Sequence, residues 1–255
     1  MEYKTIILTK HDKVATLKLN YEQKLNSLSQ LFFDEFDHAI ESVRNDNDCL
    51  VLIIRGTEKV FSAGGDLKEI GDADPDKSLM MCMRAQKSFG ALHSLNIPVI
   101  AAMDGIVFGG GFEMALHCDM RFCTNETVFR LPEADLGLIP GSGGISIFSR
   151  LFGSADAAYY LFTGNQIPVD IALNKGFVQN VYSRDEIYSK VETFADSLTE
   201  KSPESISAIK RLLVMNLFEN LDECLIAETR EFVSVQQNSG KIKIAEFFKN
   251  KKKSK

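Results

Sequence analysis

Two apolar runs constrain this chain more than anything else in its sequence. Cys49-Leu50-Val51-Leu52-Ile53-Ile54 and Val99-Ile100-Ala101-Ala102-Met103 are continuous, with no alternation of polar residues. Runs of this length and β-branching predict strands buried on both faces, the situation of a parallel sheet with helices above and below. The segments around them agree. Thr5 to Leu8 and Val14 to Leu19 read as a hairpin across the polar turn Lys10-His11-Asp12-Lys13. Ser29 reads as an N-cap ahead of Phe32, Phe33, Phe36, Ile40 and Val43 at helical spacing, with Asp34, Glu35 and Asp37 near the positive end of the helix dipole. A second helix is predicted around Met80 to Leu95, ended before Pro98; a third runs from Gly110 to His117, followed by a strand over Met120 to Cys123. This repeat of strand, glycine-rich turn, helix and strand predicts an α/β fold with a largely parallel sheet. From about Ala155 the pattern turns helical, with segments at Ser183 to Leu198, Pro203 to Leu217, Leu221 to Val235 and Lys241 to Phe248. The expected organisation is a core over 1–195 and a helical C-terminal region over 196–255.

Composition narrows the function classes. With 29 Lys and Arg against 35 Asp and Glu the net charge is −6, so no global attraction to nucleic acid or to an anionic membrane is expected. Five scattered cysteines, with no C-x-x-C, argue for reduced thiols rather than a disulfide framework. No apolar run has the length of a membrane span, and the first residues lack the features of a signal or transit peptide, so a cytoplasmic protein is expected. The basic tail from Lys249 to Lys255 reads as a solvated end.

Chemistry is expected at three glycine-rich turns: Phe61-Ser62-Ala63-Gly64-Gly65-Asp66, Gly105 to Glu113, and Gly137 to Gly144. Glycine lets a backbone approach a ligand and present its N–H groups, so three such turns in one domain point to a site built from amide donors. Other glycine motifs fail. Met114 stands where G-x-G-x-x-G needs its third glycine, and no G-K-[ST], G-x-S-x-G or H-E-x-x-H occurs. His117, Cys118, Asp119 and Cys123 match no common metal-ligand spacing, so no metal is expected. Two carboxylates remain. Glu113 lies in the first turn of an otherwise apolar helix, and Glu133 follows Phe129-Arg130-Leu131-Pro132. Beside glycine turns they suggest general acid/base work on a carbonyl compound.

Taken in order, Phe61 to Leu67, Pro98 to Gly105, Gly109-Gly110-Gly111-Phe112-Glu113-Met114-Ala115, and Pro132-Glu133-Ala134-Asp135-Leu136-Gly137-Leu138-Ile139-Pro140-Gly141-Ser142-Gly143-Gly144 resemble the crotonase (enoyl-CoA hydratase/isomerase) superfamily. The resemblance covers nearly the whole chain. It implies a crotonase-like spiral of β-β-α turns with a helical C-terminal oligomerisation region, building a homotrimer or a hexamer of paired trimers. It implies an acyl-CoA substrate, with coenzyme A part of the substrate and no separate cofactor. The thioester oxygen would sit on the N–H groups of Gly65 and Gly110, and Glu113 and Glu133 would hold a water that Gly141 also contacts. Gln23, Lys24, Leu25, Ala63 and Lys68 fall where the family contacts CoA. Burial among Phe112, Leu136 and Ile139 would tune the glutamates.

The reaction this implies is hydration of a 2-enoyl-CoA to a 3-hydroxyacyl-CoA. An isomerase relying on Glu133 alone, an acyl-CoA decarboxylase, and a non-catalytic CoA- or RNA-binding member of the fold are the alternatives; the presence of both glutamates and the acidic charge favour the hydratase. Asp135 is an extra acid close to the site, expected to be solvated and with the shaping of specificity for a functionalised acyl chain as the alternative, and His117 shares a helix face with Glu113 in a packed or hydrogen-bonded role. The acyl pocket is expected to be lined by the segment from Asp66 to Met83 and parts of the helical C-terminus.

Overall fold

The computed structural model describes residues 2–217 and 219–253, without the side chains of 248 and 250–253. The strands are β1 (Ile6–His11), β2 (Val14–Leu19), β3 (Val51–Arg55), β4 (Val60–Ser62), β5 (Val99–Met103), β6 (Ile106–Phe108), β7 (Met120–Thr124), β8 (Val128–Arg130) and β9 (Asn180–Tyr182). The helices are α1 (Gln30–Arg44), α2 (Leu67–Gly71), α3 (Pro75–Gly90), α4 (Gly110–Leu116), α5 (Ser146–Phe152), α6 (Ser154–Thr163), α7 (Val169–Asn174), α8 (Ile187–Thr199), α9 (Pro203–Met215), α10 (Leu221–Val235) and α11 (Lys241–Lys253). Ser254 and Lys255, the last two residues of the basic tail, lie outside the described residues.

Six strands form one sheet in the order β1-β2-β3-β5-β7-β9, antiparallel only between β1 and β2. The two apolar runs are its centre, paired Leu52 with Val99 and Ile54 with Ala101. They are apolar on both faces because the sheet has a core on each. Leu52, Ile54, Val99 and Ala101 join the main core with Phe32, Phe36 and Phe89, whereas Val51, Ile53, Ile100 and Ala102 meet Ile187, Val191 and Ala195 of α8. Ser29 caps α1 as expected, its hydroxyl accepting from the Phe32 N–H. Glu35, however, is buried and accepts from the Lys4 and Thr5 amides and the Thr5 hydroxyl, tying α1 to the start of β1 rather than serving the helix dipole.

A second sheet, β4-β6-β8, is parallel and only three residues deep. Each of the pairs β3/β4, β5/β6 and β7/β8 gives one strand to each sheet, which makes the spiral. Gly105 turns the chain between β5 and β6 at a φ of +66°, and a Cβ there would lie 1.8 Å from the Lys59 carbonyl oxygen, so only glycine fits. At the far end of the large sheet, Lys210 on α9 donates to the Leu92 and Ile97 carbonyls and pairs with Asp119 at 2.8 Å. That contact pins α9 ahead of β5 and β7, at the N-terminal edge of the sheet. Among the described residues no helix is long and apolar enough to cross a membrane.

Candidate functional site

The small sheet positions the site. β4, β6 and β8 run in parallel, so their C-terminal ends share one edge, where parallel sheets place their ligands. From that edge β4 leads to Gly64 and Gly65, β6 to Gly109 and α4 with Glu113, and β8 to Pro132 and Glu133. These residues line one cavity of about 370 Å³. Phe33, Leu67, Ile70, Met81, Phe89 and Ile139 supply much of its apolar wall.

Glu113 is 4% exposed, and its Oε1 accepts from the Ser142 N–H at 2.6 Å and the Gly144 N–H at 3.0 Å. Burial raises its pKa, and these two donors oppose the rise. Glu133 opens a short 3-10 turn, and its Oε2 is buried without a partner among the described residues. Burial, with help from the Glu113 charge, pushes it up to about 7. The two carboxylates thus line one cavity, and one of them keeps a proton near neutrality.

Gly109 carries the chain into α4 at a φ of +48°, and a Cβ there would stand 3.0 Å from Glu133 Oε1. The Gly65 and Gly110 amides lie together: a Cβ on Gly110 would be 3.6 Å from Gly65 N. Gly110 N–H is the first of its helix, and Gly65 N–H lies outside the Leu28 bridge bonds. Among the described residues neither has an acceptor. Two free donors beside a carboxylate pair can stabilise an oxyanion while a proton moves next to it.

Of the other expected residues, Ala63 and Gly141 also line the cavity. Leu25 is exposed and outside the lining, its carbonyl accepting from the Ala63 N–H at 3.0 Å. Gln23, Lys24 and Lys68 are exposed and outside the lining. Asp135 is half-exposed and pairs with Arg130 at 3.1 Å outside the cavity lining, in keeping with the solvated position expected for it. One expectation is corrected: no described residue of the C-terminal helices lines the cavity, since α9 is anchored at the other edge of the sheet. The 66–83 segment does contribute, through Leu67, Ile70, Ser78, Met81 and Cys82. His117 is packed and hydrogen-bonded: it stacks on His93, and its Nε2 meets the Ser142 carbonyl at 2.8 Å. Burial and His93 lower it to about 4, so it is neutral. Sequence reasoning missed the Ser142 and Gly144 amides that hold Glu113, as nothing in a backbone donor's residue type announces its partner.

A solved enoyl-CoA hydratase from Bacillus anthracis superimposes with a TM-score of 0.92, at 27% identity and covering 97% of each chain. The fold is thus the crotonase fold, an α/β spiral with its site at the edge of the small sheet. The family model described as enoyl-CoA hydratase/isomerase matches residues 9–255, and the chain belongs to that family. Similar relatives include a short-chain-enoyl-CoA hydratase from Clostridium acetobutylicum, 33% identical over 91% of this chain and 89% of that protein. A crotonyl-CoA hydratase from Syntrophomonas wolfei is 30% identical over 91% of this chain and 90% of that protein.

Proposed function

We propose that this protein is an enoyl-CoA hydratase, a lyase that adds water across the 2,3 double bond of an enoyl-CoA thioester. The observation that carries the reading is the pair Glu113 and Glu133 at one cavity with the free amides of Gly65 and Gly110. The thioester oxygen sits on those two N–H groups. Glu113, its Oε1 already held by backbone donors, takes a proton from water as the water oxygen bonds to C3. The electron pair of the double bond moves onto the thioester oxygen, where the amides stabilise the enolate. Glu133, which keeps a proton near neutrality, gives it to C2. The proton gained by Glu113 returns to Glu133 through the next bound water. The Gly141 N–H contacts the reacting water.

Coenzyme A enters as part of the substrate, running past Gln23, Lys24, Leu25, Ala63 and Lys68. Exposed Leu213, Phe232 and Ile244 on α9, α10 and α11 support self-association into a trimer or hexamer, which sedimentation of the purified protein tests. The function is tested by mixing the protein with crotonyl-CoA and following loss of the conjugated enoyl-thioester absorbance, with a 3-enoyl-CoA beside it. Loss with crotonyl-CoA, and 3-hydroxybutyryl-CoA as product, is the expected result. Conversion of only the 3-enoyl substrate would replace the reading with isomerisation.

A further inference from the structure

The loop that holds Glu113 is itself held from outside. Ser142 N–H and Gly144 N–H both donate to Glu113 Oε1. Because a peptide unit is planar, each N–H shares its orientation with the carbonyl of the preceding residue. The plane carrying Gly144 N–H has its carbonyl, on Gly143, bonded by the Ile147 N–H at 2.9 Å at the start of α5. The plane carrying Ser142 N–H has no such backbone partner among the described residues. Its carbonyl, on Gly141, accepts from Gln86 Nε2 at 2.7 Å and from the weaker thiol donor of Cys82 at 3.3 Å. His117 holds the intervening Ser142 carbonyl.

Gln86 is exposed and does not line the cavity. Its side chain bonds only Gly141 O and, at 3.5 Å, the Cys82 sulfur among the described residues. It projects from α3, the helix whose Met81, Cys82, Ala85 and Phe89 wall the cavity. A donor placed there, with its shorter bond to Gly141 O, bears on the tilt of the Gly141–Ser142 plane.

We infer that Gln86 is a positioning residue: by gripping the Gly141 carbonyl it aims the Ser142 N–H at Glu113 Oε1, and so sets the orientation and acidity of that carboxylate. The inference rests on the hydratase reading. Among the described residues the titratable groups that line the cavity with Glu113 are Glu133 and Cys82 of α3, and His117 follows one turn on at the end of its own helix.

The test is Gln86→Met, which keeps the length of the side chain and removes the donor, measured with crotonyl-CoA. The kcat is expected to fall roughly 5- to 30-fold, the yield of one hydrogen bond in the transition state. The KM should stay within about twofold, and the thermal midpoint should not move. The acidic limb of the kcat/KM profile should shift to higher pH, because a carboxylate that loses a hydrogen bond holds its proton more tightly. A residue of general structural importance would not move that limb. Gln86→Glu, isosteric but without a proton to give when ionised, should behave no better than Gln86→Met. On a Glu113→Gln background the change at Gln86 should cost nothing further. A Gln86→Met enzyme with wild-type kcat and acidic limb, or an equal loss on the Glu113→Gln background, would overturn the inference. Those outcomes presuppose an active wild-type protein that Glu113→Gln disables. A wild-type protein that does not hydrate crotonyl-CoA instead removes the hydratase reading, and the inference with it.

Discussion

Replacing Glu133 by Gln is expected to change the pH dependence of folding stability in a direction opposite to that of most carboxylates. Glu133 is largely buried, has one oxygen without a partner among the described residues, and feels the charge of Glu113. Its pKa rises from an ordinary 4.5 to about 7, with burial the first cause. The folded state therefore binds this proton more tightly than the unfolded chain does. The associated stability is fully present below 4.5 and is lost as pH rises through about 7. A rise of that size corresponds to about 3 kcal/mol. Glutamine is neutral at every pH, so the stability of Glu133→Gln minus that of wild type should grow by about 3 kcal/mol between pH 4.5 and about 8. Any fixed cost of burying the amide is the same at each pH and drops out of the comparison. For a chain of this length the growth corresponds to roughly 6–12 °C in thermal midpoint. Melting both proteins across this range by circular dichroism measures it. A difference that stays flat with pH would refute the account of Glu133 as a carboxyl forced to keep its proton.

The same environment bears on turnover: kcat/KM with crotonyl-CoA should decline on the alkaline side with a midpoint near the Glu133 value of about 7, read from a pH–rate profile. Glu113→Gln should lower kcat by roughly 10²- to 10⁴-fold while acyl-CoA binding by calorimetry remains; near-wild-type turnover would remove the two-glutamate mechanism. Gly109→Ala should lose most activity, because its backbone lies at a φ of +48° and the added methyl meets Glu133 Oε1. Asp135→Asn should leave hydration of crotonyl-CoA unchanged, since the side chain pairs with Arg130 outside the cavity; a large drop in kcat would return Asp135 to the site.

Much of the fold was legible because its signals are local. The strand over 99–103 and the N-cap at Ser29 follow from an unbroken apolar run and from a hydroxyl one position ahead of a helical pattern. Glu113 and Glu133 were legible as a pair through their glycine turns and the family resemblance. Periodicity alone did not show the small sheet, as strands of three residues are too short to display a period. Yet that sheet brings the three turns to one edge.

The sequence by itself determined which elements form and which residue types are available for chemistry, since propensity, capping and apolar patterning act over a few neighbours. Only the tertiary structure decided where those groups meet. It buried Glu35 against β1, turned Asp135 toward Arg130, and set Gln86 and His117 behind the loop that holds Glu113. Such outcomes depend on burial and on hydrogen bonds between segments tens of residues apart. Those contacts exist only once the spiral has closed, and they give two glutamates of ordinary type unlike surroundings.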